Sequence, residues 1–210
     1  MERTRLFLIR HGQVEGHEEK RYNGQTNVPL TSHGRRQLDT VAGRLASVPL
    51  DAVWSSDLDR CRYGAERLAR AHGLAVTYRA GLRELHVGAW EGRTWRELKS
   101  AYPAEWQARL DDIVHYRVPG GESFHDLAQR VRAELARLLA AHPGQNVALV
   151  AHGGVNRIIL LDALGAPLDR VFCLEQDYAC LNVIDYLADG RCTVRLVNAD
   201  HLPEHLCSRG

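Results

Sequence analysis

The sequence predicts an α/β protein, a three-layer α/β/α sandwich whose mostly parallel central sheet carries helices on both faces. Three observations lead there. Short apolar runs of strand length alternate with longer stretches of helical period along most of the chain. Several of these runs stop abruptly at a glycine or at charged residues, as strands do when they deliver the chain to a loop. The 210 residues, 45% hydrophobic and 25% charged, have the ordinary globular balance, which excludes a disordered or fibrous chain. A chain of this size buries roughly 70% of the surface its unfolded form exposes, so it needs no disulfide or structural metal to fold.

Taken in order, residues 6–9 are a buried strand closed by Arg10-His11-Gly12. Residues 13–31 are polar, carry Asn23-Gly24 and Pro29, and read as an excursion rather than an element. A helix is expected from about Ser32, with Leu38, Val41 and Leu45 on one face. Residues 52–56 are a second strand, 57–72 a helix carrying Cys61, Ala65 and Leu68, and 74–78 a third strand. The stretch 91–116 is weakly helical, with Trp90, Trp95 and Trp106 interspersed. A cap or insert is expected over 91–122.

Ser123 opens the clearest helix: Ser123 and Asp126 have capping-box spacing, and Phe124, Leu127, Val131, Leu135, Leu138 and Leu139 keep the helical period. Residues 146–151 are a strand ending in His152-Gly153-Gly154, followed by a helix to Leu164 that Gly165 stops. Residues 180–186 and 193–197 read as two closing strands. There is no repeat, low-complexity tract or linker, so residues 1–210 are expected to form a single domain.

Charge and cysteine usage narrow the class. Lys+Arg 27 against Asp+Glu 26 leaves a net charge of +1, so neither nucleic acid nor an anionic membrane is an expected partner. No apolar stretch is long enough to span a bilayer, and the N-terminus lacks the apolar region and cleavage site of a signal peptide. The five cysteines are odd in number, scattered and without a C-x-x-C pair, which fits reduced thiols in the cytoplasm. Only Lys20 and Lys99 are lysines, and an arginine-rich basic set suits forked recognition of phosphate. His201, His205 and Cys207 lack a second cluster at zinc-ligand spacing, so the segment reads as a mobile tail and no metal is expected.

In open α/β sheets, ligands bind beyond the carboxyl ends of the strands. Three segments follow a strand directly: Arg10-His11-Gly12, Ser55-Ser56-Asp57-Leu58-Asp59-Arg60 and His152-Gly153-Gly154. Together they bring two histidines and two arginines to one edge. An imidazole nitrogen can attack phosphorus and carry a phosphoryl group covalently. Arginine forks match the peripheral oxygens of that group. Gly153-Gly154 at a helix start leaves backbone N–H groups free to face an anion. The remaining need is an acid for the leaving alcohol, and Glu84, just after the third strand, is the best-placed carboxyl. A single arginine or histidine at a strand end is usually a solvated loop residue, and Glu84 could equally be a surface carboxylate paired with Arg83. The conjunction favours chemistry. Trp90, Trp95 and Trp106 are expected in core or cap packing. Asn23, Gly24 and Gln25, in the loop after His11, suit substrate contact and simple turn chemistry equally well.

The segment Leu8-Ile9-Arg10-His11-Gly12 resembles the signature of the histidine phosphatase superfamily, the phosphoglycerate-mutase-like enzymes. Further blocks occur in the family's order: Pro29-Leu30-Thr31 with Gly34, Ser55-Ser56-Asp57-Leu58 with Arg60, Leu82-Arg83-Glu84 followed by Gly88, Trp90, Glu91 and Gly92, then Pro119-Gly120-Gly121-Glu122-Ser123, and Val150 with His152-Gly153-Gly154. The resemblance implies a phosphoglycerate-mutase-like fold and assigns roles. His11 would become phosphohistidine and Glu84 would protonate the leaving group, then activate water. Arg10, Arg60 and His152, with Gly153, would grip the phosphoryl oxygens, and no metal or other cofactor would be required.

Three positions depart from the family's pattern. His17 stands where Asn is common, Asn27 where Asp is frequent, and Gly64 where Thr commonly follows the second arginine. The first touches the outer phosphate contacts, which keeps His17 among the substrate-binding candidates. The segment His86-Val87-Gly88-Ala89-Trp90-Glu91-Gly92 lacks the family mutases' Arg-x-Tyr-Gly pattern after the acid and looks like the phosphatase branch. The expected activity is therefore hydrolysis of a small phosphorylated metabolite. α-Ribazole-5′-phosphate is placed slightly ahead of sugar bisphosphates, phosphoserine and broad-specificity substrates. The alternatives are a phosphoglycerate mutase and a catalytically silent protein that senses a phosphorylated metabolite. A monomer and a homodimer are both compatible with the sequence.

Overall fold

The structure, a computed structural model, describes residues 3–207. Strand β1 (Arg3–Arg10) leads through a long loop to helix α1 (Ser32–Leu45), then β2 (Ala52–Ser55), α2 (Asp59–His72) and β3 (Val76–Tyr78). Two short helices, α3 (Trp95–Ala101) and α4 (Pro103–Asp111), precede the long α5 (Phe124–Ala141). Then come β4 (Asn146–Ala151), α6 (Gly153–Leu164) and the closing hairpin of β5 (Leu181–Leu187) and β6 (Cys192–Ala199).

The strands form one six-stranded sheet in the order β3-β2-β4-β1-β5-β6. The first four in that order run parallel; β5 pairs antiparallel with β1, and β6 antiparallel with β5. The period-2 geometry of strands divides the core between the two faces. Leu6 and Leu8 of β1 pack with Leu149 of β4 and with Leu127, Val131 and Ile158 of α5 and α6. Phe7 and Ile9 point the other way and pack with Val150, Leu38 and Val41 of α1, and Leu68 of α2. Both faces of the sheet are therefore covered, which is the three-layer sandwich that the alternating runs predict.

Local chemistry sets the element ends. The Ser123 hydroxyl accepts from the Asp126 N–H at 3.2 Å, while the Asp126 carboxylate accepts from the Ser123 N–H at 2.8 Å, the reciprocal box expected from the spacing. Thr94 and Glu97 build a second such box at the start of α3. Helix α2 starts at Asp59 rather than Asp57, since Leu58 before it is still extended, and both Asp57 oxygens are held by Arg83 at 2.7 and 2.6 Å. Asn27 Oδ1 accepts instead from the Asp59 N–H at 3.0 Å and caps the helix from a distant loop. At Gly64 the absent side chain makes room for Leu38, so α2 packs closely on α1. Residues 74–78 form a shorter strand than the run suggests, since Leu74 instead closes the end of α2 through its N–H to Ala69 O.

The segment after β6 corrects one expectation. Residues 201–207 are not a mobile tail: Leu206 is 1% exposed, and its carbonyl accepts from Arg5 at 3.1 Å. Arg5 itself is held by a forked pair to Asp185 at 2.6 and 2.8 Å. The five cysteines are free thiols. Among the described residues no helix is long and apolar enough to cross a membrane, and no group of three or more His, Cys, Asp or Glu is arranged to hold a metal.

Candidate active site

Strands β2, β4 and β1 are neighbours and parallel, so their carboxyl ends reach the same edge. The register continues one residue beyond each strand: the His11 N–H donates to Ala151 O at 3.0 Å, and the Ser56 N–H to Val150 O at 3.0 Å. These bonds carry the sheet's register up to His11 and Ser56, and His152 follows directly on β4. The three segments singled out in the sequence therefore meet.

His11 is 6% exposed, and its Nδ1 lies 2.8 Å from Gly12 O. A carbonyl oxygen can only accept, so Nδ1 carries the proton and Nε2 keeps a free lone pair. Burial, then the charges of Arg60 and Arg10, hold the imidazole well below the ordinary histidine range. His11 is thus neutral at physiological pH, the state a nitrogen nucleophile needs. The His152 ring stands edge-on to it with centroids 5.2 Å apart, and is fully buried. Burial, Arg60 and His11 likewise keep His152 neutral. Its Nε2 lies 2.8 Å from Ser56 Oγ and 3.4 Å from Cys61 Sγ, which fixes the ring's orientation. Burial pushes the Cys61 thiol up to about 12, so it stays protonated and unreactive beside the ring.

Arg60, from the first turn of α2, is 2% exposed and spends two N–H groups on the carbonyls of Thr26 and Gly24, both at 2.7 Å. The loop that supplies those carbonyls is itself held by Glu91. The Glu91 carboxylate accepts from the Gln25 N–H at 3.0 Å and from Thr26 Oγ1 at 2.8 Å. Gly24 has φ +41°, which favours glycine, and a Cβ there would lie 2.0 Å from Glu91 Oε1 and push that carboxylate off the loop it anchors. Arg10 lies over the Tyr178 ring at 4.1 Å and donates to Gln176 O, while its buried Nε has no partner among the described residues.

Glu84 approaches from the opposite side. One carboxylate oxygen accepts from the Leu85 N–H at 2.9 Å, and the other from the Gly154 N–H at 3.0 Å in the first turn of α6. Its backbone carbonyl accepts from Arg130 at 2.8 Å and from Gln25 Nε2 at 3.3 Å.

Arg10, His11, Arg60, Glu84 and Gly154 all line one cavity of about 190 Å³, which Asn23 and Gly24 also border. His152 and Gly153, expected at the phosphoryl oxygens, are not part of the lining: His152 stands behind His11 with its Nε2 on Ser56, and Gly153 lies where an added Cβ would approach Arg157 and Arg10 at 3.1 and 3.5 Å. His17 is not part of the lining: its Nε2 pairs with Gln13 Nε2 at 3.0 Å, and its ring stands edge-on to Tyr178. Gln25 contributes through its bond to the Glu84 carbonyl rather than by facing the cavity. Sequence reasoning missed Arg21, Arg109, Arg157, Tyr22 and Tyr178, which border the same space. Only Arg157 left a signal, four residues after Gly153 and hence on the same face of a helix. Trp90 and Trp106 stack at 6.0 Å and flank Tyr22, and Trp95 reaches the cavity wall.

The arrangement combines a neutral imidazole with a free nitrogen, two arginines and a carboxylate around one small cavity, a set suited to moving a phosphoryl group. Comparison with known proteins agrees with it. The chain is 39% identical over 93% of its length to a bifunctional protein of Mycobacterium tuberculosis, of which it spans only 54%. It is 34% identical to a probable phosphoglycerate mutase of Salmonella choleraesuis, covering 86% of this chain and 84% of that one. Among solved structures, the α-ribazole phosphatase of Shigella flexneri superposes with a TM-score of 0.87 at 30% identity, covering 95% of this chain and 98% of that one. The family model described as histidine phosphatase superfamily (branch 1) matches residues 6–200, and the chain belongs to that superfamily.

Proposed function

We propose that the protein is a metal-independent phosphomonoester hydrolase that works through a phosphohistidine at His11. The observation that carries this reading is the protonation pattern of His11. Its Nδ1–H is committed to Gly12 O, burial beside two arginines keeps Nε2 unprotonated, and the residue lines the cavity that Glu84 shares. In the first step Nε2 attacks phosphorus, the ester P–O bond breaks, and Glu84 gives its proton to the departing alkoxide. In the second, Glu84 takes a proton from water as the oxygen attacks the phosphohistidine. The P–N bond breaks, and inorganic phosphate leaves with His11 restored. Arg10 and Arg60 hold the peripheral oxygens throughout, where developing charge is greatest, and His152 backs the His11 ring from behind.

The substrate is a small phosphorylated metabolite. α-Ribazole-5′-phosphate is one candidate, supported by the Shigella structure, beside sugar phosphates and phosphoserine. The second reading, a phosphoglycerate mutase, is favoured by the similarity to the Salmonella protein.

The test is phosphate release from a panel of phosphomonoesters in EDTA, by the wild type beside His11→Ala. Release that survives EDTA and vanishes in the variant is the expected result. Release by His11→Ala at the wild-type rate overturns the mechanism, and interconversion of 2- and 3-phosphoglycerate without release moves the assignment to the mutase.

A further inference from the structure

Three arginines are almost completely buried: Arg5 at 4% exposure, Arg60 at 2% and Arg109 at 3%. The first two have partners, Arg5 the Asp185 carboxylate and Arg60 two carbonyls that leave it further N–H groups for the phosphoryl oxygens. Arg109 is different. Its guanidinium, on α4, makes no hydrogen bond or ion pair among the described residues, and its Nη1 is buried without any partner. Glu105, one turn earlier, is exposed and does not pair with it, although the i,i+4 spacing would allow it. The rings of Tyr22 and Phe124 lie near the guanidinium at 5.7 and 5.5 Å, and all three side chains border the cavity that holds His11 and Glu84.

A buried cation without an acceptor is costly, and where one persists in a cavity the acceptor it suits is the ligand's. Five arginines line this cavity: Arg21 pairs with Glu19, Arg157 with Glu175, Arg10 and Arg60 donate to backbone carbonyls, and only the Arg109 guanidinium makes no hydrogen bond or ion pair among the described residues. The cations that bear most on His11 are Arg60 and Arg10, so the phosphoryl end is already supplied. We propose that Arg109 recognises a second anionic group, a carboxylate or a further phosphate, on the organic part of the substrate. This rests on the hydrolase reading and narrows it. Substrates with a second anion rank above those with a single phosphate and an uncharged remainder, such as α-ribazole-5′-phosphate.

The test uses substrate pairs that differ only in that group. Glycerol 3-phosphate against 3-phosphoglycerate exchanges a hydroxymethyl for a carboxylate, and 3-hydroxypropyl phosphate against propane-1,3-diyl bisphosphate adds a phosphate. The expected result is a wild-type kcat/KM ratio of tenfold or more in favour of the second anion in at least one pair, which names the anion. Arg109→Met should collapse that ratio toward one, and Arg109→Lys should restore part of it, with the change carried mainly in KM. A wild-type ratio near one in both pairs overturns the proposal even if Arg109→Met fails to fold, and so does a ratio that Arg109→Met leaves intact. If the wild type releases phosphate from no substrate, the hydrolase reading fails instead. Calorimetric binding of the same pairs to the wild type then decides the Arg109 assignment: preference for the second anion supports it, and equal affinity overturns it.

Discussion

The Gly154 N–H donates to Glu84 at 3.0 Å, joining the first turn of α6 to a carboxylate seventy residues earlier in the chain. The contact is close in a second sense. A Cβ on Gly154 would lie 2.4 Å from Glu84 Oε1. The helix start expected to offer free amides to an anion thus gives one of them to the proposed acid and decides where that acid stands.

Gly154→Ala tests that coupling. The clash falls on the far end of a flexible side chain, so Glu84 is displaced and the fold is not. Alanine is favoured over glycine in a helix by about 1 kcal/mol, so thermal stability should hold or rise slightly. kcat on alkyl phosphates should fall by about tenfold to a hundredfold, the range attributed to a misplaced general acid. A large drop in Tm with unchanged kcat would contradict the argument.

Glu84→Gln removes the proton while keeping the shape. Alkyl phosphates need their leaving oxygen protonated and should lose about a hundredfold or more in kcat, whereas p-nitrophenyl phosphate should lose much less. Equal losses on both would show that Glu84 does not serve as the acid. Steady-state kinetics on the two substrate types reads the difference directly.

Glu91 acts at one remove, by anchoring the loop whose Gly24 and Thr26 carbonyls hold Arg60. Glu91→Ala frees that loop. KM should rise by about tenfold, the scale of one or two lost hydrogen bonds, with a smaller effect on kcat. Glu91→Gln, which keeps one acceptor oxygen, should fall between.

The two buried histidines make stability pH-dependent. Both are held well below the ordinary value of 6.5 in the folded protein. As pH falls through that value, the unfolded chain takes up protons that the folded chain refuses, so stability is present in full above it and is lost below. Each histidine contributes a slope of up to about 1.4 kcal/mol per pH unit in this window. Urea denaturation of the wild type between neutral pH and pH 5 should show that decline, and His11→Asn should show it with one proton's slope removed.

How much of this was legible in the sequence follows from where each signal is stored. The ends of β1, β2 and β4 were readable because a continuous apolar run and its closing residues are contiguous, and a parallel sheet does the rest. The start of α5 was readable because a capping box is a four-residue pattern. Arg109 was not, since only the packing of α4 against Tyr22 and Phe124 brings it to the cavity. The stretch around Trp90, Trp95 and Trp106 was weakly readable because its aromatic residues gather around Tyr22 rather than along one helical face. His17 illustrates the converse: its position matched a binding motif, but Gln13, four residues away, claims its ring.

The aromatic cluster also gives the protein a built-in optical sensor. Of the four tryptophans, Trp90, Trp95 and Trp106 surround Tyr22 at the cavity, whereas Trp54 is tied to His142 through its indole N–H at 3.0 Å. A ligand entering beside Tyr22 meets Trp95 in the cavity wall, with Trp90 and Trp106 packed on the same tyrosine. Occupancy of the cavity can therefore be followed by emission, without a label and before any turnover is measured.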